Sequence, residues 1–124
     1  MRFPFQMGRG MRILLAPLRV TAANSFAEID NDTLRIRFGP LFDQSFPIAE
    51  IAAVQRDVWP WYYGLGVKIG FRKRLGVMAS YQNIVRVSLR SPRKIPLAFG
   101  IGTKIVHLFL SLQDADGFIR ALGR

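Results

Sequence analysis

The sequence predicts a small, mainly β domain that ends in one short helix. In the stretch Leu34–Phe38, apolar residues alternate with Arg35 and Arg37, which is typical of a half-buried antiparallel strand. The stretch Ile84–Arg90 alternates in the same way. Near the end, the acidic residues of Asp114–Leu122 precede its apolar ones, as expected of a helix with acids in its first turn.

The length and composition indicate one domain. The chain has 124 residues, and half of them are hydrophobic, which is enough for a proper core. We see no internal repeat and no low-complexity linker. We therefore expect a single domain over 1–124, with an N-terminal arm over 1–24, β structure over 25–112 and a helix over 113–123.

The first half predicts an arm followed by a hairpin. Residues 1–24 mix apolar residues and arginine without a clean period, and we expect one strand there, Arg12–Thr21, laid against the body. Phe26–Asp30 and Leu34–Phe38 are separated by Asn31-Asp32, which suit a hairpin turn. Gly39-Pro40 then marks a turn before a third strand, Leu41–Phe46.

The middle of the chain is organised around an aromatic corner, Trp59–Tyr63. Ile48–Arg56 before it has a helix-like composition, but its shortness and neighbours favour a strand or a bent turn-and-strand. After the corner we expect strands at Val67–Phe71 and Leu75–Ser80, joined by an exposed turn at 72–74.

The last strands follow a similar pattern. Ser91-Pro92-Arg93-Lys94 predicts a solvent-exposed loop after the Ile84–Arg90 strand. The prolines of the next stretch make Ile95–Phe99 an edge strand at most, and Thr103–Leu110 is the final strand.

The charge predicts an anionic partner. The net charge is +10, the isoelectric point is near 11.3, and arginines outnumber lysines by 14 to 4. Such a balance favours nucleic acid, acidic protein surfaces or an anionic membrane face without choosing among them. The chain has no cysteine, which excludes disulfides, thiolate metal sites and cysteine nucleophiles and fits a reducing compartment.

The stretch nearest to a signal peptide is at the start, where arginines precede Ile13–Leu18. Pro17 and Arg19 interrupt this apolar run, which is too short and too broken for a leader. No stretch reaches the roughly 18–20 apolar residues of a membrane span. We therefore expect a soluble, cytoplasmic protein, with a peripheral position at the inner face of the membrane as one alternative.

The chain resembles bacterial pleckstrin-homology-like (PH-like) domains over about 25–123. The resemblance is carried by the opening hairpin Phe26–Phe38, the "FPIAEIAAVQ" run, the "WYYGLGVKI" turn and the closing "VHLFLSLQDADGF". It implies a bent antiparallel barrel of about seven strands over 25–112, plugged by the C-terminal helix. It also implies a binding or scaffolding module, not an enzyme. Acidic residues around Asn31-Asp32 depart from the basic first hairpin loop of phosphoinositide-binding relatives, and no functional residue transfers from the family.

Segregation of charge gives the candidate binding site. No acidic residue lies between Asp57 and Asp114, and basic residues gather in that gap. Arginine's planar fork suits phosphate oxygens. The alternative is a solvated outer sheet face whose charge protects edge strands from pairing. The candidate residues are Lys68, Arg72, Lys73, Arg74, Arg86, Arg90, Arg93 and Lys94, with Lys104 in the same gap.

The aromatic corner has three interpretations: core packing, an anchor at a membrane interface, or a platform on which bases stack. Large aromatic residues beside proline and glycine favour the structural interpretation. The residues concerned are Trp59, Trp61, Tyr62 and Tyr63.

The sequence shows no recognisable catalytic or metal site. His107, the sole histidine, lies in an apolar strand and is expected to be a packed residue, and no other ligand stands at metal-binding spacing. The serines lack an assignable histidine base. We therefore expect a non-catalytic binding module without cofactor or metal, whose partner is a protein or an anionic membrane. Nucleic-acid binding, carriage of a small apolar ligand and homo-oligomerisation are the alternatives.

Overall fold

A computed structural model describes residues 1–60, 64–69, 73–96 and 102–123, apart from the side chains of Ala22 and Ile69. Over these residues the fold is mainly β, with two sheets and a C-terminal helix. The strands are β1 (Arg2–Pro4), β2 (Ser25–Asp30), β3 (Thr33–Phe38), β4 (Phe42–Pro47), β5 (Ile51–Arg56), β6 (Gly66–Ile69), β7 (Arg74–Met78), β8 (Ile84–Pro96) and β9 (Gly102–Ser111). The helices are α1 (Arg9–Leu15) and α2 (Ala115–Leu122).

The first sheet is antiparallel and has the order β1-β2-β3-β4. Its β2–β3 hairpin confirms the predicted opening hairpin, and Asn31 in the turn adopts a positive φ of 54°. The side chains of Leu34, Ile36 and Phe38 are fully buried, whereas the alternate positions of β3 are half-buried. The alternation of the sequence therefore predicted both the strand and its buried face.

The second sheet has the order β5-β8-β9-β7-β6 and contains one parallel pair, β7 with β9. The described residues therefore form two sheets and no closed barrel, which corrects the antiparallel barrel that the resemblance implied. The physical reason lies in β9, where Leu108, Phe109 and Leu110 are all buried. Both faces of this strand are covered, which is typical of a strand with a parallel partner.

Two other predictions concern β5 and β8. A 3-10 turn at Ile48–Glu50 leads into β5, which confirms the bent turn-and-strand. The loop expected at 91–94 is wrong, because β8 continues through it to Pro96. The register between β8 and β9 shifts between Ser88 and Arg93, and this irregularity absorbs the extra residues without ending the strand.

The N-terminal arm differs from the expected strand. Residues 12–15 end α1, and a 3-10 turn follows at Ala16–Leu18. Met11 and Leu15, four residues apart, pack toward the core, which is the spacing of one helix face. Pro17 lies at the start of the 3-10 turn, where its missing N–H group costs no hydrogen bond.

The N-terminal segment joins the two sheets. Phe5 forms an isolated bridge with Leu112, and Met7 forms one with Ala79. The fully buried Ser111 hydroxyl donates to the Gln6 carbonyl and accepts from the Ala79 amide, each at 3.1 Å. The segment is thus part of the core structure.

Helix α2 confirms the predicted C-terminal helix. The Asp114 side chain caps its N-terminus by accepting from the Gly117 amide at 3.0 Å. Phe118 is fully buried and makes an edge-to-face contact with Phe3, with ring centroids 5.4 Å apart. Among the described residues, no helix combines the length and the apolar character needed to cross a membrane.

Candidate binding surfaces

The structure separates the predicted basic residues into three groups. In the first group, Arg74 and Arg86 lie on the outer face of the five-stranded sheet, which is the face away from the main core. Val85 and Val87 of β8 point to that core. Lys68 and Lys73 are exposed on β6 and just before β7. Arg72 lies outside the described residues.

The second group, Arg90 and Arg93, is held by the turn before β5. The Arg90 Nε donates to the Ala49 carbonyl at 2.9 Å. The Arg93 guanidinium lies 4.5 Å from the centre of the Phe46 ring and 4.0 Å from the Glu50 carboxylate. These contacts give both arginines structural roles beside the first sheet.

The third group is a pair of lysines near the end of the β8–β9 hairpin. Lys94 and Lys104 are partners across the two strands, and both are exposed. Like charges placed directly opposite each other repel, so this end of the hairpin is a site of concentrated positive charge. The predicted residues are therefore not gathered on one face.

Carboxylates from outside the acid-free part of the sequence return to it in space. Asp57 pairs with Arg86 at 3.0 Å, and Glu50 approaches Arg93. The segregation of charge along the chain is thus partly cancelled in the fold.

The described part of the aromatic corner is packed. Trp59 is 4% exposed and belongs to a cluster with Met78, Ile84 and Phe109 on the outer face of the five-stranded sheet. Its indole Nε1 donates to the Gly64 carbonyl at 2.8 Å. This favours core packing for Trp59 over a stacking platform, while Trp61, Tyr62 and Tyr63 lie outside the described residues.

Gly76 makes room for Trp59. A Cβ atom at Gly76 would stand 2.7 Å from Cζ2 of the indole, which is too close for any ordinary contact. The bare backbone of β7 therefore lets the ring lie directly on the sheet. The Trp59 ring also lies 5.1 Å from the Phe109 ring.

His107 and Ser88 form a polar pair on the same outer face. They are partners across β9 and β8, and the Ser88 Oγ lies 3.0 Å from the His107 Nδ1. Burial lowers the pKa of His107, and the nearby Arg86 and Arg74 lower it further, against an opposing effect of Asp57. Sequence reasoning missed this pair because the residues are 19 positions apart and only the strand register joins them.

Acidic side chains, in contrast to the basic groups above, lie together in a groove along the β2–β3 hairpin. It is lined by residues that include Glu28, Asp30 and Asp32. The first hairpin loop is therefore acidic in space as well as in sequence. Among the described residues, no three histidine or carboxylate side chains are arranged to hold a metal ion.

The clearest unexplained surface lies on α1 and the 3-10 turn after it. Ile13 is 75% exposed, Leu14 68% and Leu18 50%, whereas the neighbouring Leu15 is 4% exposed. We call Ile13, Leu14 and Leu18 the N-terminal apolar surface. Exposed apolar residues that cluster within a few positions mark an interaction site more often than scattered ones do.

Arginines surround this surface. Arg9, Arg12 and Arg19 are all exposed, and none of them forms an ion pair within the described ranges. The sequence has no acidic residue before Glu28, so every charged side chain of this segment is positive. Sequence analysis had assigned this stretch to a strand and had tested it only as a leader peptide, and so it missed the surface.

The turn between β3 and β4 supports this end of the molecule. Gly39, with a φ of +54°, approaches Val20 so closely that a Cβ would lie 2.8 Å from the Val20 Cγ2. Leu41 in the same turn is also exposed. The contact holds the chain just after the 3-10 turn against the turn between β3 and β4.

Comparisons with known proteins give no relative for this chain. No protein-family model, no curated protein and no solved structure matches it. The resemblance to PH-like domains therefore stays a prediction.

Proposed function

We propose that this protein is a non-catalytic binding module of PH-like type that docks on an anionic membrane surface. Docking is through the N-terminal apolar surface and the arginines around it. The observation that carries the proposal is the exposure of Ile13, Leu14 and Leu18 beside three arginines that lack ion-pair partners among the described residues.

Two additive free-energy terms favour docking on a membrane. Apolar side chains that leave water for the acyl boundary of a bilayer gain about 1.5–3 kcal/mol each when fully buried. Each arginine near an anionic leaflet adds about 1 kcal/mol. Neither term alone gives stable anchoring, but three apolar residues and three arginines on one short stretch supply both.

The arrangement suits a bilayer better than nucleic acid. Nucleic-acid binding by the same mechanism as single-strand binders needs exposed aromatic rings on which bases stack. Trp59 is buried and hydrogen-bonded, so it does not offer such a ring. Exposed aliphatic residues have no favourable partner on a phosphate backbone, whereas the acyl region of a membrane accepts them.

The support for a PH-like type is limited to the mainly β architecture and the C-terminal helix, because the described residues form two sheets and not the antiparallel barrel that the resemblance implies. Two packed sheets are followed by a single amphipathic C-terminal helix whose Ala115, Phe118 and Leu122 enter the core. The proposed module needs no cofactor. We place it at the inner face of a membrane, where anionic lipids concentrate.

Co-sedimentation with vesicles tests the proposal. Vesicles of phosphatidylcholine alone are compared with vesicles that also contain phosphatidylserine, at low and moderate salt. We expect binding only to the anionic vesicles, weakened by salt because surface charges are screened. The double variant Ile13→Ser/Leu14→Ser should bind the anionic vesicles at least about tenfold more weakly than the unmodified chain.

The matched control is Val58→Ser, which alters a residue that is 76% exposed but lies beside Trp59. Its binding should equal that of the unmodified chain. Equal binding by the double variant would overturn the proposal. Absence of vesicle binding would also overturn the proposal and would direct attention to a protein partner. Binding to nucleic acid without binding to vesicles would favour the nucleic-acid alternative.

A further inference from the structure

The outer face of the five-stranded sheet carries two arginine groups that the fold leaves unsatisfied. The Nε atoms of Arg74 and Arg86 are shielded from solvent, and neither has a hydrogen-bond partner among the residues that the structure describes. A shielded N–H group without a partner is uncommon in native proteins, because its desolvation is not repaid. Because solvent cannot reach these two atoms, a bound anion would meet the two arginines through their terminal Nη groups instead.

The strand register places the two arginines on the same sheet face, on either side of β9. Arg74 on β7 is the partner of His107 on β9, and Arg86 on β8 is the partner of Phe109. His107 and Phe109 are two positions apart on β9, so their side chains share a face. Arg74 and Arg86 therefore flank neighbouring outward positions of the same central strand.

The surroundings strengthen a charged interaction. The Arg74 guanidinium lies 5.7 Å from the centre of the Phe109 ring, and Phe109 packs on Trp59. These aromatic rings form an apolar wall that excludes water on one side. A lower local dielectric makes attraction between an arginine and an anion stronger than it is in open solvent.

The local charge is positive and therefore favours an anion. Asp57 engages the Arg86 Nη1, whereas Arg74 has no carboxylate partner in the part of the chain that the structure describes. Two arginines and one aspartate leave a net charge of about +1 beside a neutral His107. A phosphomonoester, which carries a charge of about −1.5 to −2 near pH 7, can meet both arginines and the neutral imidazole.

We infer that the cluster of Arg74, Arg86, Ser88 and His107 binds the phosphate group of a phosphomonoester. The arginines supply donors in fork geometry, and the Ser88 hydroxyl and the His107 ring supply further polar contacts. The site lies on the outer sheet face and does not depend on the N-terminal apolar surface. The phosphate belongs either to a soluble compound or to a lipid headgroup.

Titration with inorganic phosphate, followed by proton NMR of the His107 ring, tests the site. His107 is the sole histidine of the chain, so its ring resonances need no further assignment. We expect a saturable shift at constant ionic strength, and none with chloride. Loss of one charge-assisted contact in Arg74→Gln or Arg86→Gln should weaken binding about tenfold or more.

Two controls keep the result interpretable. Arg120→Gln removes an exposed arginine on α2 and should leave the phosphate titration unchanged. Arg74→Lys keeps the charge but not the fork, so it should bind with intermediate affinity if folding is intact, as checked by thermal unfolding. A non-saturable shift, or equal affinity in Arg74→Gln and Arg120→Gln, would overturn the inference.

Vesicles distinguish the two sources of the phosphate. Phosphatidic acid presents a phosphomonoester, whereas phosphatidylglycerol presents only a diester. A preference for phosphatidic acid at equal charge, lost in Arg74→Gln, identifies a lipid headgroup. Phosphate binding without that preference identifies a soluble ligand. The Ile13→Ser/Leu14→Ser variant should still bind inorganic phosphate, which separates this site from membrane docking.

Discussion

The N-terminal apolar surface and the outer face of the five-stranded sheet are built from the same kinds of residue in opposite arrangements. On α1, aliphatic side chains are exposed and arginines surround them. On the sheet, Trp59 and Phe109 are buried, and two arginines hold shielded Nε atoms without partners in the described structure. Exposed apolar residues suit an extended partner such as a membrane. Arginines in a partly shielded position suit a single small anion.

The largest expected effect comes from removing Trp59 from its cluster with Met78, Ile84 and Phe109 on the outer sheet face. Trp59→Ala should lower the free energy of unfolding by about 3–5 kcal/mol, because it deletes a buried ring and leaves a cavity. Denaturant unfolding followed by circular dichroism measures the loss. A change below about 1 kcal/mol would mean that Trp59 does not hold the cluster together.

Two adjacent leucines on α1 give a matched test. Leu15→Ala should lower the free energy of unfolding by about 2–5 kcal/mol, because Leu15 is in the core. Leu14→Ala should change it by no more than about 0.5 kcal/mol, because the side chain is exposed. Similar losses in thermal or denaturant unfolding of both variants would contradict the orientation of α1.

A methyl group at Gly76 should cost less than loss of the indole. Gly76→Ala places a Cβ against the Trp59 ring, and overpacking of this kind costs about 1–3 kcal/mol. Combining it with Trp59→Ala tests the contact directly. The cost of Gly76→Ala should shrink in the double variant, because the clashing ring is gone. A strictly additive result would show that the two residues are not in contact.

The smallest effect is a dependence of stability on pH at His107. Its pKa is lowered from 6.5 by burial and by Arg86 and Arg74, so the unfolded chain takes up a proton first. The stability contributed by the neutral ring is present above pH 6.5 and is lost as the pH falls through the lower folded pKa. His107→Gln should flatten this decline in denaturant unfolding over about pH 5–7. An unchanged profile would contradict it.

Local pattern predicted much of the fold. The alternation of Leu34–Phe38, the acids before Phe118 and the turn residues Asn31-Asp32 each act within a few positions, so the sequence alone identified the hairpin and α2. The parallel pairing of β7 with β9 depends on residues more than 30 positions apart and has no local signal. The Ser88–His107 pair, 19 positions apart, likewise has no local signal.

The binding surfaces were harder to predict for the same reason. The run of basic residues indicated one positive face, but the bonds of Arg90 to Ala49 and of Arg86 to Asp57 arise only from the fold. Residues 9–19 mix arginine and apolar residues without a β or helical period that stands out. Only the burial of Leu15 beside the exposed Leu14 shows which side of α1 faces outward.

The most direct test of the central proposal asks which of the two regions meets the membrane. The chain has no cysteine, so Leu14→Cys and Val58→Cys each give one site for an environment-sensitive fluorophore. Trp59 itself is a poor reporter because it is already buried. With phosphatidylserine-containing vesicles, we expect a blue shift and an intensity rise at position 14 and no change at position 58. A shift at position 58 alone, or at neither position, would contradict docking through α1.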